Sequence, residues 1–178
     1  SPGTGKTLLL EKTLDRLKDD VRCAVIAGDQ QTDRDARRLR KTGVPVYQIE
    51  TRNACHLDAE RVGAALPEVA VDGTRLLFIE NVGNLVCPAA FDLGEMFKVA
   101  LLSTTEGEDK PVKYPTLFTG AGAVVLTKMD LAPHLEWDLA ACRRFIQRVR
   151  PGAFVFELSA LSGDGMDTWC DYLRKLVF

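Results

Sequence analysis

The sequence predicts an α/β fold: a mostly parallel sheet with helices packed on both faces, three layers in all. Three observations carry this. Short apolar runs of strand length alternate with segments whose apolar residues recur at helical spacing. The polar motifs fall at the C-terminal ends of those runs, where parallel sheets bind ligands. The chain also opens on SPGTGKT, a glycine-bearing loop that runs straight into a helix.

That loop organises the rest. Ser1 to Thr7 reads as the C-terminal part of the phosphate loop G-x-x-x-x-G-K-[ST]. Gly3 and Gly5 let the backbone turn tightly, so that the N–H groups from Gly3 through Thr4 and Gly5 face one phosphate cluster. Lys6 would reach the β- and γ-phosphates, and the Thr7 hydroxyl would bind Mg²⁺. Leu10, Leu14 and Leu17 follow at helical spacing, and the helix dipole favours a phosphate at its start. The motif's first glycine, the strand that normally delivers the chain into it, and an initiator Met are not in the sequence. Residues 1–178 are therefore expected to be one N-terminally truncated domain that lacks its phosphate-loop strand. That strand would belong mid-sheet, beside the strand ending at Glu80, and its loss would lower stability.

The remaining elements follow in order. Arg22 to Gly28 is a buried strand ending at Asp29. Thr32 caps a helix to about Lys41, and Gly43 stops it. Val44 to Glu50 is the next strand, and TRNACHLDAERVGAAL puts Cys55 and His56 at or just before a helix start. Arg75 to Glu80 is another buried strand, leading into NVGNLVCP. Val99 to Ser103 is a strand core followed by a long polar loop, TTEGEDKPVKYP. Ala123 to Thr127 leads into TKMD. Leu135, Leu139, Cys142, Ile146 and Val149 define one helix face, with His134 at its start. Phe154 to Leu158 is the last strand, and SALSGDG leads to a closing helix with Met166, Trp169, Leu173 and Leu176 inward.

Composition narrows the class. At 178 residues the chain fits one domain, large enough to bury about 70% of its unfolded surface. Net charge is −2, and no basic patch with interleaved aromatics points to nucleic acid. No apolar run approaches the roughly 20 residues that span a membrane. The five Cys form no C-x-x-C pair and are odd in number, which argues for a reducing cytoplasm over a disulfide framework.

The base-reading chemistry lies in Thr127-Lys128-Met129-Asp130. A carboxylate can accept from both the N1–H and the 2-amino group of guanine. Adenine offers no such pair, and a site built for a polar partner can reject the analogue lacking it by about 10⁴-fold. The Lys128 stem can lie along the base. Ser159, Ala160 and Leu161, after the next strand, can add backbone contacts to the guanine oxygen. This set resembles the motifs of P-loop G proteins, with Thr127 where Asn is usual. A Thr keeps a hydroxyl for bracing the phosphate loop. GTP and GDP are the expected ligands. Asp29 and Glu80 end strands that should flank the loop, and one or both should reach the Mg²⁺ sphere, Asp29 being favoured as direct ligand. Gly83 sits where a flexible glycine N–H meets the γ-phosphate. No Gln or Arg stands out as a catalytic group, so intrinsic hydrolysis should be slow.

A second metal site is the other expectation. Cys55, His56 and Cys87 lie in two loops at one sheet edge, and two thiolates with one imidazole suit Zn²⁺ or Ni²⁺. Cys23, Cys142 and Cys170 read as core.

The segments GDQQTDRDARRL, ACHLDAE, IENVGNLVCPAAFDLGE, TEGEDKPVKYP and TKMDL resemble the HypB family of hydrogenase and urease nickel-insertion GTPases, within the SIMIBI class. The resemblance covers nearly the whole chain. It implies that Cys55, His56 and Cys87 bind nickel or zinc at an interface formed when GTP drives homodimerisation. It also implies that hydrolysis supports nickel delivery to the [NiFe]-hydrogenase large subunit, with the nickel protein HypA as partner. Because Cys87 lies four residues after Gly83, nucleotide state would bias metal geometry. Three rivals stand beside this reading. They are a related metal- or cobalamin-handling GTPase, a small-molecule kinase using Arg37, Arg38 and Arg40, and a metal-storage scaffold with a vestigial nucleotide site.

Overall fold

The structure is a computed structural model that describes residues 2–29, 34–51, 56–69 and 71–177, without the side chains of Asp29 and Arg34. The Thr32 cap and Cys55 lie outside the described residues. The contacts divide the chain into two compact units. One holds Ser1–Gly5 with Glu95–Trp169, the other Lys6–Gly94 with Cys170–Phe178.

In the second unit, α1 (Lys6–Leu17) turns Leu9, Leu10, Thr13, Leu14 and Leu17 inward. Strand β1 (Cys23–Asp29), helix α2 (Arg34–Arg40), strand β2 (Val46–Glu50), helix α3 (Ala59–Val69) and strand β3 (Leu76–Glu80) follow. The three strands are parallel, in the order β2-β1-β3. Ala24 and Ile26 on β1 pack against Leu57, Val62, Ala65 and Val69, which is why the α3 sequence is apolar on one face only. Gly43 ends the α2 segment at φ +85°, as its sequence position foretells. The β3 run departs from its reading as a fully buried strand. All five of its residues are half-buried, because it pairs with β1 alone.

In the first unit, β4 (Lys98–Ser103), β5 (Ala121–Thr127) and β6 (Phe154–Glu157) form a parallel sheet in that order. Ala100, Leu102, Val124 and Leu126 pack with Phe118, Cys142 and Ile146. Three sequence expectations are corrected here. The polar segment after β4 is not a loop throughout: it forms α5 (Lys110–Lys113) and α6 (Pro115–Thr119), each opened by a proline near its first turn. His134 ends a 3-10 helix, Met129–His134, and does not start the next α-helix. That helix, α7 (Leu139–Val149), begins at Asp138, whose side chain accepts from Ala141 N at 2.9 Å, so Leu135 falls outside it and is exposed. The unit boundary falls within α8 (Met166–Lys175), of which Met166, Trp169, Cys170 and Leu173 are buried. Among the described residues, no helix is long and apolar enough to cross a membrane.

Candidate functional site

The phosphate loop is built by two left-handed glycines. Gly3 and Gly5 have φ of +76° and +89°, conformations a side chain disfavours, and α1 starts at the next residue, Lys6. Thr4 between them is buried, and its carbonyl accepts from Thr127 Oγ1 at 2.7 Å. The threonine that replaces the usual asparagine thus braces the loop through its hydroxyl. Two residues past Gly5, Thr7 Oγ1 donates to Glu80 Oε1 at 2.6 Å. A hydroxyl and a carboxylate oxygen meeting this closely form a hard-oxygen pair at the phosphate loop. Those donors fit a Mg²⁺ ion, which prefers oxygen ligands and keeps several waters. Asp29 ends β1 two residues beyond Ala27, which pairs with Glu80. The Asp29 side chain lies outside the described atoms.

The residues expected to read the base are brought together by β5 and β6. Leu126 pairs with Glu157, and Met129 N donates to Leu158 O at 3.2 Å, which joins the TKMD turn to the SAL turn. Among the described residues the Asp130 carboxylate has no partner in the chain, so both oxygens are available to a ligand. Lys128 has φ +59°, a conformation that costs a non-glycine residue about 1–3 kcal/mol. In the SAL turn, Ser159 N donates to Asp164 O and Leu161 N to Ser159 Oγ. Ala160 is then the one of the three whose N–H has no bond within the turn. Gly165 closes the turn at φ +72°, and a Cβ there would lie 2.1 Å from Glu157 O.

The loops after β2 and β3 converge. Leu57 is fully buried, with its side chain seated where a Cβ on Gly28 would be. Its N–H donates to Asn81 Oδ1 at 3.1 Å, and the same oxygen accepts from Val82 N at 2.9 Å. The His56 ring stacks on Phe91 with centroids 3.9 Å apart and planes 8° from parallel. Cys87 is not in a loop: it opens the one-turn helix α4 (Cys87–Ala90), because Pro88 suits the first turn. Asn84 holds it from below, accepting from Val86 N and Cys87 N and donating to Cys87 Sγ at 3.7 Å. Among the described residues no three His, Cys, Asp or Glu side chains are grouped to hold a metal. The Cys55 that would complete such a group lies outside them. Sequence reasoning passed over Asn81 as part of a motif, and its only signal there is a short acceptor side chain directly after a strand-end acid.

The other cysteines behave as core. Burial pushes the Cys23 thiol up to about 11 and that of Cys142 up to about 12, so both stay protonated and poor metal ligands at neutral pH. Arg37, Arg38 and Arg40 lie on the exposed side of α2, with Arg38 paired to Glu11, while Ala36 and Leu39 face inward. That is a solvated face, not a phosphate clamp.

Comparison with known proteins fixes the family. The domain family described as "CobW/HypB/UreG, nucleotide-binding domain" matches residues 1–157. A crystal structure of HypB from Helicobacter pylori in complex with nickel superposes with a TM-score of 0.91 at 39% identity, over 98% of this chain and 82% of that one. The chain belongs to the HypB family. HypB from Archaeoglobus fulgidus gives the same TM-score, 0.91, at 36% identity, covering 100% of this chain and 87% of that chain. The hydrogenase maturation factor HypB of Escherichia coli K12 is 55% identical over 174 residues, which are 98% of this chain and 60% of that protein. The chain therefore spans about three fifths of the length of such curated HypB relatives. The fold is the three-layer α/β P-loop fold of the HypB structures.

Proposed function

We propose that residues 1–178 are a single GTPase domain that couples GTP binding and hydrolysis to nickel handling during [NiFe]-hydrogenase maturation. One observation carries the reading. The strand exit Glu80–Asn84 touches the phosphate loop at its start, the His56 loop in its middle and Cys87 at its end. Gly3, Thr4, Gly5 and Lys6 would cradle the phosphates, with Gly83 N–H added when a γ-phosphate is present. Thr7 with Glu80 or Asp29 would hold Mg²⁺, which when bound neutralises charge on the β- and γ-phosphates. Thr127, Lys128, Asp130 and Ala160 would read guanine. Cys55, His56 and Cys87 would take the nickel cargo, with zinc as the competing metal.

The chain's own steps then follow. A γ-phosphate recruits Gly83, and the segment from Glu80 to Cys87 moves as a unit because Asn84 ties its turn to the Cys87 thiol. Asn81 carries the same displacement to the N–H beside His56. The GTP state would then favour a metal-bearing homodimer, and hydrolysis would release the metal toward the hydrogenase large subunit, with HypA as the nickel partner and the cytoplasm as compartment.

The test is a nickel titration of the full-length protein with a non-hydrolysable GTP analogue and with GDP, following metal per subunit and dimer fraction. Tighter nickel binding and more dimer with the analogue, both lost in Cys55→Ala, are expected. Equal nickel affinity in both nucleotide states, with monomers throughout, would sink the reading, since equal affinity shifts no equilibrium.

A further inference from the structure

The base-reading turn holds a strained residue, and a neighbour outside every recognised motif secures it. Register pairs Ser103 with Thr127, so the chains leaving β4 and β5 run side by side. Thr104 N donates to Thr127 O at 3.1 Å, and Thr104 Oγ1 donates to Lys128 O at 2.8 Å. Thr104 is 2% exposed, so the hydroxyl bond is shielded from water.

Lys128 is the only non-glycine residue with positive φ among the described residues. A left-handed residue turns its carbonyl away from the course a right-handed one would take, so that carbonyl must be met there by donors. Two meet it: the Thr104 hydroxyl, and Leu131 N at 2.9 Å, which closes the turn that carries Asp130. One oxygen therefore sets both the path of the Lys128 stem and the direction of the Asp130 carboxylate. The neighbouring Thr105 Oγ1 lies 3.5 Å from Lys128 Nζ, at the outer limit of a hydrogen bond.

We infer that Thr104 is a positioning residue for base selectivity. Its hydroxyl locks Lys128 in the left-handed conformation and so aims Asp130 at the N1–H and 2-amino group of the base. It acts through Lys128 and touches no nucleotide. The inference rests on the guanine reading proposed above.

The readout is the ratio of GDP to IDP affinity in the full-length protein, because IDP differs from GDP only by the 2-amino group that Asp130 would meet. One hydrogen bond to a carboxylate makes the wild-type ratio about tenfold. In Thr104→Val, which keeps the shape and loses the donor, the ratio is expected to fall to about threefold or less. Thr104→Ser, which keeps the donor, should restore it to within about twofold of wild type. A Val variant with the wild-type ratio overturns the inference, whether its GDP affinity is unchanged or both ligands weaken equally, as a merely structural role would have it. If Thr104→Val folds too poorly to titrate, Thr104→Ala is judged by the same ratio. A wild-type protein that does not distinguish GDP, IDP and ADP would instead sink the guanine reading itself.

Discussion

At the scale of single residues, hydroxyls at strand ends hold the loops of the candidate site: Thr127 donates to Thr4 O and Thr104 to Lys128 O. Thr127 shows why a substitution at a motif position can be conservative in function and not in shape. Asparagine would brace the phosphate loop through an amide; the threonine does so through an oxygen 2.7 Å from Thr4 O, in a site only 3% exposed. Thr127→Val keeps the volume and removes that donor. It should weaken GDP binding by about fivefold, the worth of one neutral hydrogen bond, as read by calorimetric titration. Thr127→Asn, which offers a donor again, should stay within about twofold of wild type. Sequence alone gave access to this hydroxyl because its partner loop is a recognisable motif. Thr104 was not legible in the same way. Its partner is the backbone carbonyl of a residue whose left-handed φ cannot be read from the letter Lys, and nothing in TTEGEDK marks its first threonine as buried.

At the scale of elements, what the sequence conveys well is alternation, and what it conveys poorly is the connection between alternating parts. Strands β1 and β5 were evident as apolar runs because both lie mid-sheet, paired on two sides. The segment after β4 reads as loop because Glu, Asp and Lys outnumber apolar residues there. Yet Lys110 pairs with Glu106, and Lys113 with Asp109 at 2.6 Å, each four residues apart. Both pairs end on α5, a one-turn helix that no apolar stripe announces. The convergence of the His56 and Cys87 segments also followed from topology, whereas the atom that ties them did not. Asn81 accepts two backbone N–H groups from two different loops. Asn81→Ala should leave both donors without that acceptor and destabilise the protein by about 1–3 kcal/mol. More tellingly, it should erase most of the difference in nickel affinity between the GTP-analogue and GDP states. Asn81→Asp, which keeps an acceptor oxygen at the same reach, should preserve that difference. A full nucleotide effect in Asn81→Ala would mean that Gly83 and Cys87 alone carry the signal.

At the scale of the whole molecule, the two compact units each bury one cysteine whose thiol is pushed up by its surroundings, and this offers a probe of whether they unfold together. Cys142, raised to about 12, sits in the unit of β4 to β6, where burial is the main cause and Glu108 and Glu157 add repulsion. Cys23, raised to about 11, sits in the unit of β1 to β3, where burial again leads and nearby Cys170 contributes. A thiol whose folded value exceeds its usual 9.0 holds its proton in the native state after the unfolded chain has lost it. The native state then binds more protons, so stability is full below pH 9.0 and falls as pH rises through about 11. Guanidinium midpoints measured at pH 8 and at pH 10.5 should show this loss, and Cys23→Ala or Cys142→Ala should each reduce it. A single GTPase domain predicts that both variants flatten the pH dependence of one and the same transition, monitored by far-ultraviolet dichroism and tryptophan fluorescence alike. Two transitions, each flattened by only one variant, would mean that the units are separately cooperative. A switch segment that reports nucleotide state to a metal loop would then have to work inside the unit of β1 to β3 alone. The bonds from Thr7 to Glu80, from Leu57 to Asn81 and from Asn84 to Cys87 make that physically feasible, because these three lie within that unit.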